Sequence, residues 1–468
     1  KRTANIRQTD YVFWSSPVAN FPVTSISPTT GVGYIWNWQP TVVGNGVGNF
    51  GIWQNTSENM IDGKGYIVRG PDAFTTAFQN YTATFNGVAN NGTVSRTITR
   101  GTYTGADYVG PTALMVTQAD DNLNLIGNPY PSAIDAQAFM AANTEIEGAV
   151  HIWTHGTAPS DAIADPFYQD YVQNYTINDY ITYNSVGASS GAGVFSGNIA
   201  AGQGFFVTME DTGATSETVT FNNTMRDRTY DNSDFYKTSN LTEKHRIWLD
   251  LTAPNNQNNR ILVGYVTGAT EGKDRLFDAT NINKTDFRLY SKADDHKLLI
   301  QGRPVPFVDT DKVDLETLLP TSGTYTFAIN SLDGLFENDT QGIYLEDKEF
   351  EIIHDLRNAP YTFEAESGLQ ENRFVLRYTD ENKLLDVEEV ITNNELSIFT
   401  ANNSVTAVSN SSNIKSFTMY DVNGRLVTNN VNLNVTKHSI NINNFSNGTY
   451  LVTINLHDGR TLTKKVVF

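Results

Sequence analysis

The sequence predicts an all-β protein of several domains: a β-rich amino-terminal region, then a β-sandwich, then a second, small β-sandwich at the carboxyl terminus. Three observations predict it. Turn and strand formers dominate, with 50 Asn and 35 Gly beside 25 Phe and 22 Tyr; the first pair supplies tight turns and the second fills pleated, half-buried surfaces. Long amphipathic helical patterns are almost missing, and the best stretch is short, 132–143, where Ile134, Ala138 and Phe139 would share a face. Short apolar alternations recur between turn signals, the mark of successive strands.

Composition excludes several classes of function. At ~100–200 residues per domain, 468 residues suggest about three domains. Acids outnumber Lys and Arg by 51 to 32, a net charge of −19 that repels phosphate backbones and excludes nucleic acid as the main partner. Cysteine is absent, which removes disulfide scaffolds, thiolate metal sites and cysteine nucleophiles. No run approaches the ~18 apolar residues of a membrane-spanning helix, so a soluble chain is expected. The first residue is Lys1 and no signal peptide is present, so the chain reads as processed or as part of a longer one. Only 18% of residues are charged, and Asn and Thr carry the polarity instead, which suits an extracellular β protein.

The first region, 1–240, holds five of the six Trp and suggests a diverged internal repeat. Its first half has Trp14-Ser15-Ser16-Pro17, Tyr34-Ile35-Trp36, Gly63-Lys64-Gly65-Tyr66 and Thr84-Phe85-Asn86. Its second half has Ile126-Gly127-Asn128-Pro129, His151-Ile152-Trp153, Gly202-Gln203-Gly204-Phe205 and Thr220-Phe221-Asn222, in the same order. The second region, 241–380, shows strands at 246–251, 260–266, 287–291, 298–301, 324–329, 342–345, 361–364 and 373–378. Turn signals such as Pro254-Asn255-Asn256 and Asp333-Gly334 separate them, and a two-sheet sandwich follows. Residues 381–395 read as an exposed, cleavable linker, crowded with Asp386, Glu388 and Glu389 and closed by Asn393-Asn394.

The third region, 396–468, reverses the charge. It carries six Lys or Arg against Asp421 and Asp458, a net +4, which leaves −23 on residues 1–395. Asn423-Gly424 turns a hairpin, Asn447-Gly448 makes a second tight turn, Asp458-Gly459 turns the chain into the terminal strand, and Tyr450, Val452, Ile454 and Leu456 alternate along a half-buried strand.

The run Tyr420-Asp421-Val422-Asn423-Gly424-Arg425-Leu426-Val427 is followed by Asn447-Gly448-Thr449-Tyr450-Leu451-Val452, Asp458-Gly459 and Lys464-Lys465-Val466-Val467. In order and position this resembles the type A sorting domain of the Bacteroidota type IX secretion system, an immunoglobulin-like β-sandwich. The likeness covers the last fifth of the chain. One feature departs from the family: where many members open on Tyr-Pro-Asn-Pro, residues 390–399 here lack proline. The remainder resembles the aromatic-rich and sandwich regions of flavobacterial cell-surface proteins. The resemblance implies a protein that crosses the outer membrane folded, by way of the periplasm, and is released or fixed at the cell surface. The implied partners are the translocon, a shuttle β-barrel in the outer membrane and a sortase-like protease. The sorting-signal residues it implies are Asp421, Gly424, Arg425, Gly448, Tyr450, Gly459, Leu462, Lys464, Lys465, Val466 and Phe468. The strand 461–468 would dock on the shuttle by β-type pairing, with Leu462, Val466 and Phe468 filling apolar pockets. An ordinary immunoglobulin-like domain that stabilises its neighbour is the competing reading. Lys464 and Lys465 also suit an edge strand guarded against aggregation.

Motifs of chemistry are weak. Gly187-Ala188-Ser189-Ser190-Gly191 fits a nucleophile elbow literally, but a Gly-rich loop follows where a helix is needed. His151 and His155 stand four apart, yet Ile152 replaces the Glu of a metalloprotease and the context favours a strand. Asp309, Asp311 and Asp314, and again Asp161, Asp165 and Asp170, are spaced closely enough for calcium but lack the Gly and Glu of an EF-hand. Gly63-Lys64-Gly65 has no helix after it and reads as a tight turn into a strand. No catalytic residue, cofactor site or metal site is assigned, with calcium as the one ion these carboxylates would take. The leading expectation is a non-enzymatic surface protein, adhesive or structural, whose aromatic excess would serve a carbohydrate or other surface ligand. The alternative is a secreted hydrolase with its catalytic part in 1–240 or upstream of Lys1.

Overall fold

A computed structural model describes residues 2–43, 49–101, 108–109, 115–116, 122–160, 175, 179–191, 195–210, 214–227, 243–282, 287–380, 396–401, 404–409, 412–421, 424–443, 445–446 and 448–467. Strands hold 53% of it and helices 6%, so the fold is all-β and multidomain. No helix among the described residues is long and apolar enough to cross a membrane. Residues Lys1–Glu381 form one compact unit and Asn382–Phe468 a second. The two regions read from the sequence on either side of 240 therefore share one unit. The segment 381–395, expected as a linker, lies outside the described residues.

The amino-terminal region contains two four-stranded sheets with one pairing order. In the first, Tyr11–Trp14 pairs with Tyr66–Arg69, which pairs with Ile35–Val43, which pairs with Asn49–Asn55. In the second, Leu123–Gly127, Gly204–Thr208, Val150–Trp153 and Tyr180–Tyr183 follow in the same order. A two-stranded ribbon brackets each sheet in sequence, Arg2–Ile6 with Gln79–Ala83 and Val94–Thr99 with Ser216–Phe221. The two Gly-x-Gly marks thus lead into corresponding strands. Gly63 and Gly202 both take a left-handed φ, +74° and +62°, where a side chain strains the backbone.

Contacts between the halves are exchanged as across a two-fold axis. The Ser15 amide donates to Gly202 O at 2.8 Å, and the Gly127 amide donates to Gly63 O at 3.0 Å. Trp14 bridges to Gln203 and Ile126 bridges to Lys64. Trp38 donates its indole N–H to Leu123 O at 2.7 Å, while Trp153 donates to Tyr11 O at 3.0 Å. The last pair corrects the alignment read from the sequence. Trp36 lies opposite Ile67 and His151 opposite Phe206, so Trp36 corresponds to His151, and Trp38 to Trp153. Their cross-strand partners agree, Trp53 for Trp38 and Tyr180 for Trp153. The shared spelling Ile-Trp misled because it lies one strand period, two residues, out of register.

Period-two alternation splits each strand between two cores. Tyr11 and Phe13 enter an aromatic layer shared with Leu123, Leu125 and Phe206, while Val12 and Trp14 turn to the opposite face with Tyr66 and Val68. Ile126, Phe205 and Val207 do the same in the second half, onto a core closed by the short helix Ala136–Ala142. Asp135 caps that helix through the Gln137 and Ala138 amides. Its buried residues are Ala136, Phe139 and Met140, a face rotated from the one the sequence suggested.

The layers expected of a sandwich in 241–380 are present as one folded-over sheet of eleven strands, not two separate sheets. Its order runs Ile352–Asp355, Tyr344–Asp347, Gly368–Arg377, Lys312–Leu319, Arg288–Ala293, His296–Arg303, Asn258–Val266, Lys244–Thr252, Gly323–Asp333, Tyr361–Ala365, with Ala279–Thr280 added onto His296–Arg303. Strands far apart in this order meet in the core, where Phe363 and Phe327 lie 4.8 Å and 5.0 Å from Phe374, centroid to centroid. Buried and part-buried polar contacts tie the sheet to the amino-terminal region. Trp248 donates to Ala188 O at 2.8 Å, and Arg275 reaches the carbonyls of Met140, Asn143 and Ile146.

The carboxyl-terminal unit has two sheets around its own core. Leu396–Ala401, Ser404–Ser409 and Lys437–Asn441 form one; Leu426–Val435, Ile414–Asp421, Thr449–Leu456 and Thr461–Val467 form the other.

Candidate functional site

The residues expected to carry a sorting signal fall into turn clips and a terminal strand. At the first clip Asp421 accepts from the Arg425 amide at 2.9 Å and from its Nε at 3.0 Å, and Gly424 supplies φ +76°. Asp458 holds Arg460 in the same way, at 3.1 Å and 3.0 Å, with Gly459 at φ +90°. The Arg460 guanidinium holds the Asp458 carboxyl below its usual range. Asp421, Gly424, Arg425 and Gly459 therefore close hairpins. Gly448 differs: its φ lies outside the left-handed region, and an added Cβ would meet only Tyr450, at 3.9 Å. Tyr450 is buried and donates its hydroxyl to Ser446 O at 2.7 Å, the geometry of a tyrosine corner.

The terminal strand Thr461–Val467 pairs with Thr449–Leu456 and stands at the outer edge of its sheet. Val466 lies opposite Tyr450, 5% exposed, in the unit's own core. This corrects the expectation that it fills a partner's pocket. Alternation sends the side chain of Val466 inward, and it is already spent on the unit's own packing. Lys464, opposite buried Val452, shares that inward face and is half-buried. Lys465, opposite exposed Leu451, stands on the outer face. The two lysines therefore present to different surfaces. Leu462 pairs through its backbone with Ile454; its side chain and Phe468 lie outside the described residues.

The remaining candidates do not converge. His151 is buried in Val150–Trp153, with Nδ1 2.9 Å from Thr182 Oγ1, and burial pushes its pKa down to about 3. His155 lies beyond the strand end and meets Asn5 O at 3.2 Å. Asp311 is clamped by Arg303 and by the Tyr265 hydroxyl, while Asp314 sits on the strand Lys312–Leu319 facing Lys348. That strand escaped the sequence reading because its acids alternate with Val313 and Leu315 and resemble a loop of ligands. Asp161, Asp165 and Asp170 lie outside the described residues. Among the described residues no three His, Asp or Glu stand together as metal ligands. Ser189 accepts from the Thr182 amide at 3.1 Å, within a turn after Tyr180–Tyr183. Lys64 pairs with Glu58 at 2.6 Å, and that contact lowers the Glu58 pKa against the opposing effect of burial. Sequence reasoning missed a cleft beside Arg260 and Ser190, whose walls are joined only by the fold.

The geometry defines an all-β protein whose large, acidic unit precedes a small one of nearly balanced charge. Residues 1–378 match the family model described as a domain of unknown function (DUF8693), and the chain belongs to that family. Residues 385–468 match a second model, a domain of unknown function (DUF8694). No curated protein matches the chain.

Proposed function

We propose that the chain is a secreted cell-surface protein exported by type IX secretion, with the carboxyl-terminal unit as its sorting signal and an adhesive or structural, non-enzymatic cargo before it. The observation that carries the reading is the outer position of the last strand, Thr461–Val467. An outer strand offers backbone N–H and C=O groups that a partner segment extends, here one that the shuttle barrel presents outside its closed wall. Lys465 and Leu451 on the outer face supply a charge and an apolar contact beside it. The separate compactness of Asn382–Phe468 supports the same reading, since a bound or cleaved signal then leaves the cargo core intact.

The test is export in a bacterium that carries the system. Deletion of 464–468 traps the protein in the periplasm with residues 1–381 folded. Because that deletion also removes Val466 from the core, Lys465→Glu is the companion variant, which leaves the core whole and lowers surface delivery. Normal surface delivery of both variants refutes the proposal.

A further inference from the structure

A cleft of about 300 Å³ opens between the segment that follows Tyr180–Tyr183 and the strands Asn258–Val266 and His296–Arg303. That is the small end of the ~300–1,000 Å³ range of ligand pockets. Tyr180, Ile282 and Leu299 give it apolar surface; Ser190, Asn258, Arg260 and Asn281 give it amide, hydroxyl and guanidinium groups.

Three features decide what chemistry fits. The first is charge. Among the described residues that line the cleft Arg260 is the only charged one, and Asp250 neutralises it through Nε at 2.5 Å and Nη2 at 2.8 Å. An anion gains no net attraction there, and the acidic chain as a whole disfavours one. The second is rigidity. Arg260 also donates to Ser190 O at 2.5 Å, Asn258 donates to Asp250 at 3.1 Å, and Thr182 is held by His151 at 2.9 Å, so the walls are set before a ligand arrives. The third is unused bonding capacity. Ser190 Oγ is buried with no hydrogen-bond partner among the described residues, a state that destabilises the fold unless something bonds to it. Three of the five Arg260 N–H groups serve Asp250 and Ser190, which leaves two.

Neutral groups that both donate and accept, beside aromatic and aliphatic surface, match a molecule with hydroxyls on its rim and C–H bonds on its faces. We propose that this cleft binds a neutral saccharide of one or two rings, with Ser190 Oγ and the free Arg260 N–H groups on its hydroxyls and Tyr180 and Leu299 against its C–H face. The proposal does not depend on how the protein is delivered.

Saturation-transfer NMR on the full chain tests it. The probes are glucose, galactose, N-acetylglucosamine, maltose and cellobiose, with glucuronate as the charged comparator. At least one neutral sugar gives saturable transfer. Leu299→Trp, which fills the cleft, abolishes it, and Ser190→Ala weakens it about tenfold, the loss of one hydrogen bond. No transfer from any neutral sugar overturns the proposal. So does glucuronate binding more tightly than glucose, or undiminished transfer in a folded Leu299→Trp variant. If Leu299→Trp does not fold, Ser190→Ala decides, and unchanged affinity in that variant overturns the assignment.

Discussion

His151 should make the stability of the large unit fall in mild acid. The side chain is 2% exposed, its one polar contact in the strand pair is the Thr182 hydroxyl, and burial pushes its pKa from 6.5 down to about 3. The folded protein therefore keeps the imidazole neutral where the unfolded chain takes up a proton. Because the folded pKa is depressed, no stability is lost above about pH 6.5. As pH falls from 6.5 towards 3 the unfolded state binds more protons, and stability drops by about 1.4 kcal/mol per pH unit. At pH 5 the loss is about 2 kcal/mol, a large share of the ~5–15 kcal/mol that holds a typical domain folded. His151→Gln keeps a polar group near Thr182 and does not titrate. All six Trp lie between Trp14 and Trp248, so tryptophan emission during denaturation follows the large unit alone. The original protein should lose about 2 kcal/mol more than His151→Gln between pH 7.5 and pH 5, since groups common to both cancel in the difference. Equal losses in the two proteins would refute the reasoning.

Gly65 and Gly204 occupy corresponding places but different room: a Cβ on Gly65 would lie 2.5 Å from Leu125 Cγ and 2.7 Å from Ile126 O, whereas the nearest atoms to one on Gly204 are 3.2 Å away. Gly65→Ala should cost about 1–3 kcal/mol and Gly204→Ala less, read by the same tryptophan emission; equal costs would contradict the geometry. In the small unit, Gly424→Ala meets no atom within 4 Å, so only its φ of +76° is strained, at about 1 kcal/mol. Gly448→Ala should stay within about 0.5 kcal/mol, and amide hydrogen exchange in Ile414–Asp421 separates the two.

The all-β class, the hairpin turns and the inward set of the strand Thr449–Leu456 were legible in the sequence, because each rests on neighbours within a few residues. Alternation of Tyr450, Val452, Ile454 and Leu456 needs only the pleat, and Asp421 reaches Arg425 across a single turn. The repeat was legible in its Gly-x-Gly marks, since a left-handed φ at Gly63 and Gly202 is a local demand on residue type. Its register was not. Which tryptophan answers to Trp153 depends on the strand opposite, and that strand is Gly204–Thr208, some fifty residues away in sequence. The same limit hid the folding-over of the eleven-stranded sheet, the union of residues 1–381 in one unit and the inward turn of Val466. The cleft shows it most plainly. Ser190, Arg260 and Leu299 lie on three separate segments, and no local pattern marks a hydroxyl as the one left unpartnered. Local sequence sets the period of a strand and the chemistry of its turns. Which strands pair and which faces close into cores are settled only when distant segments compete for the same partners.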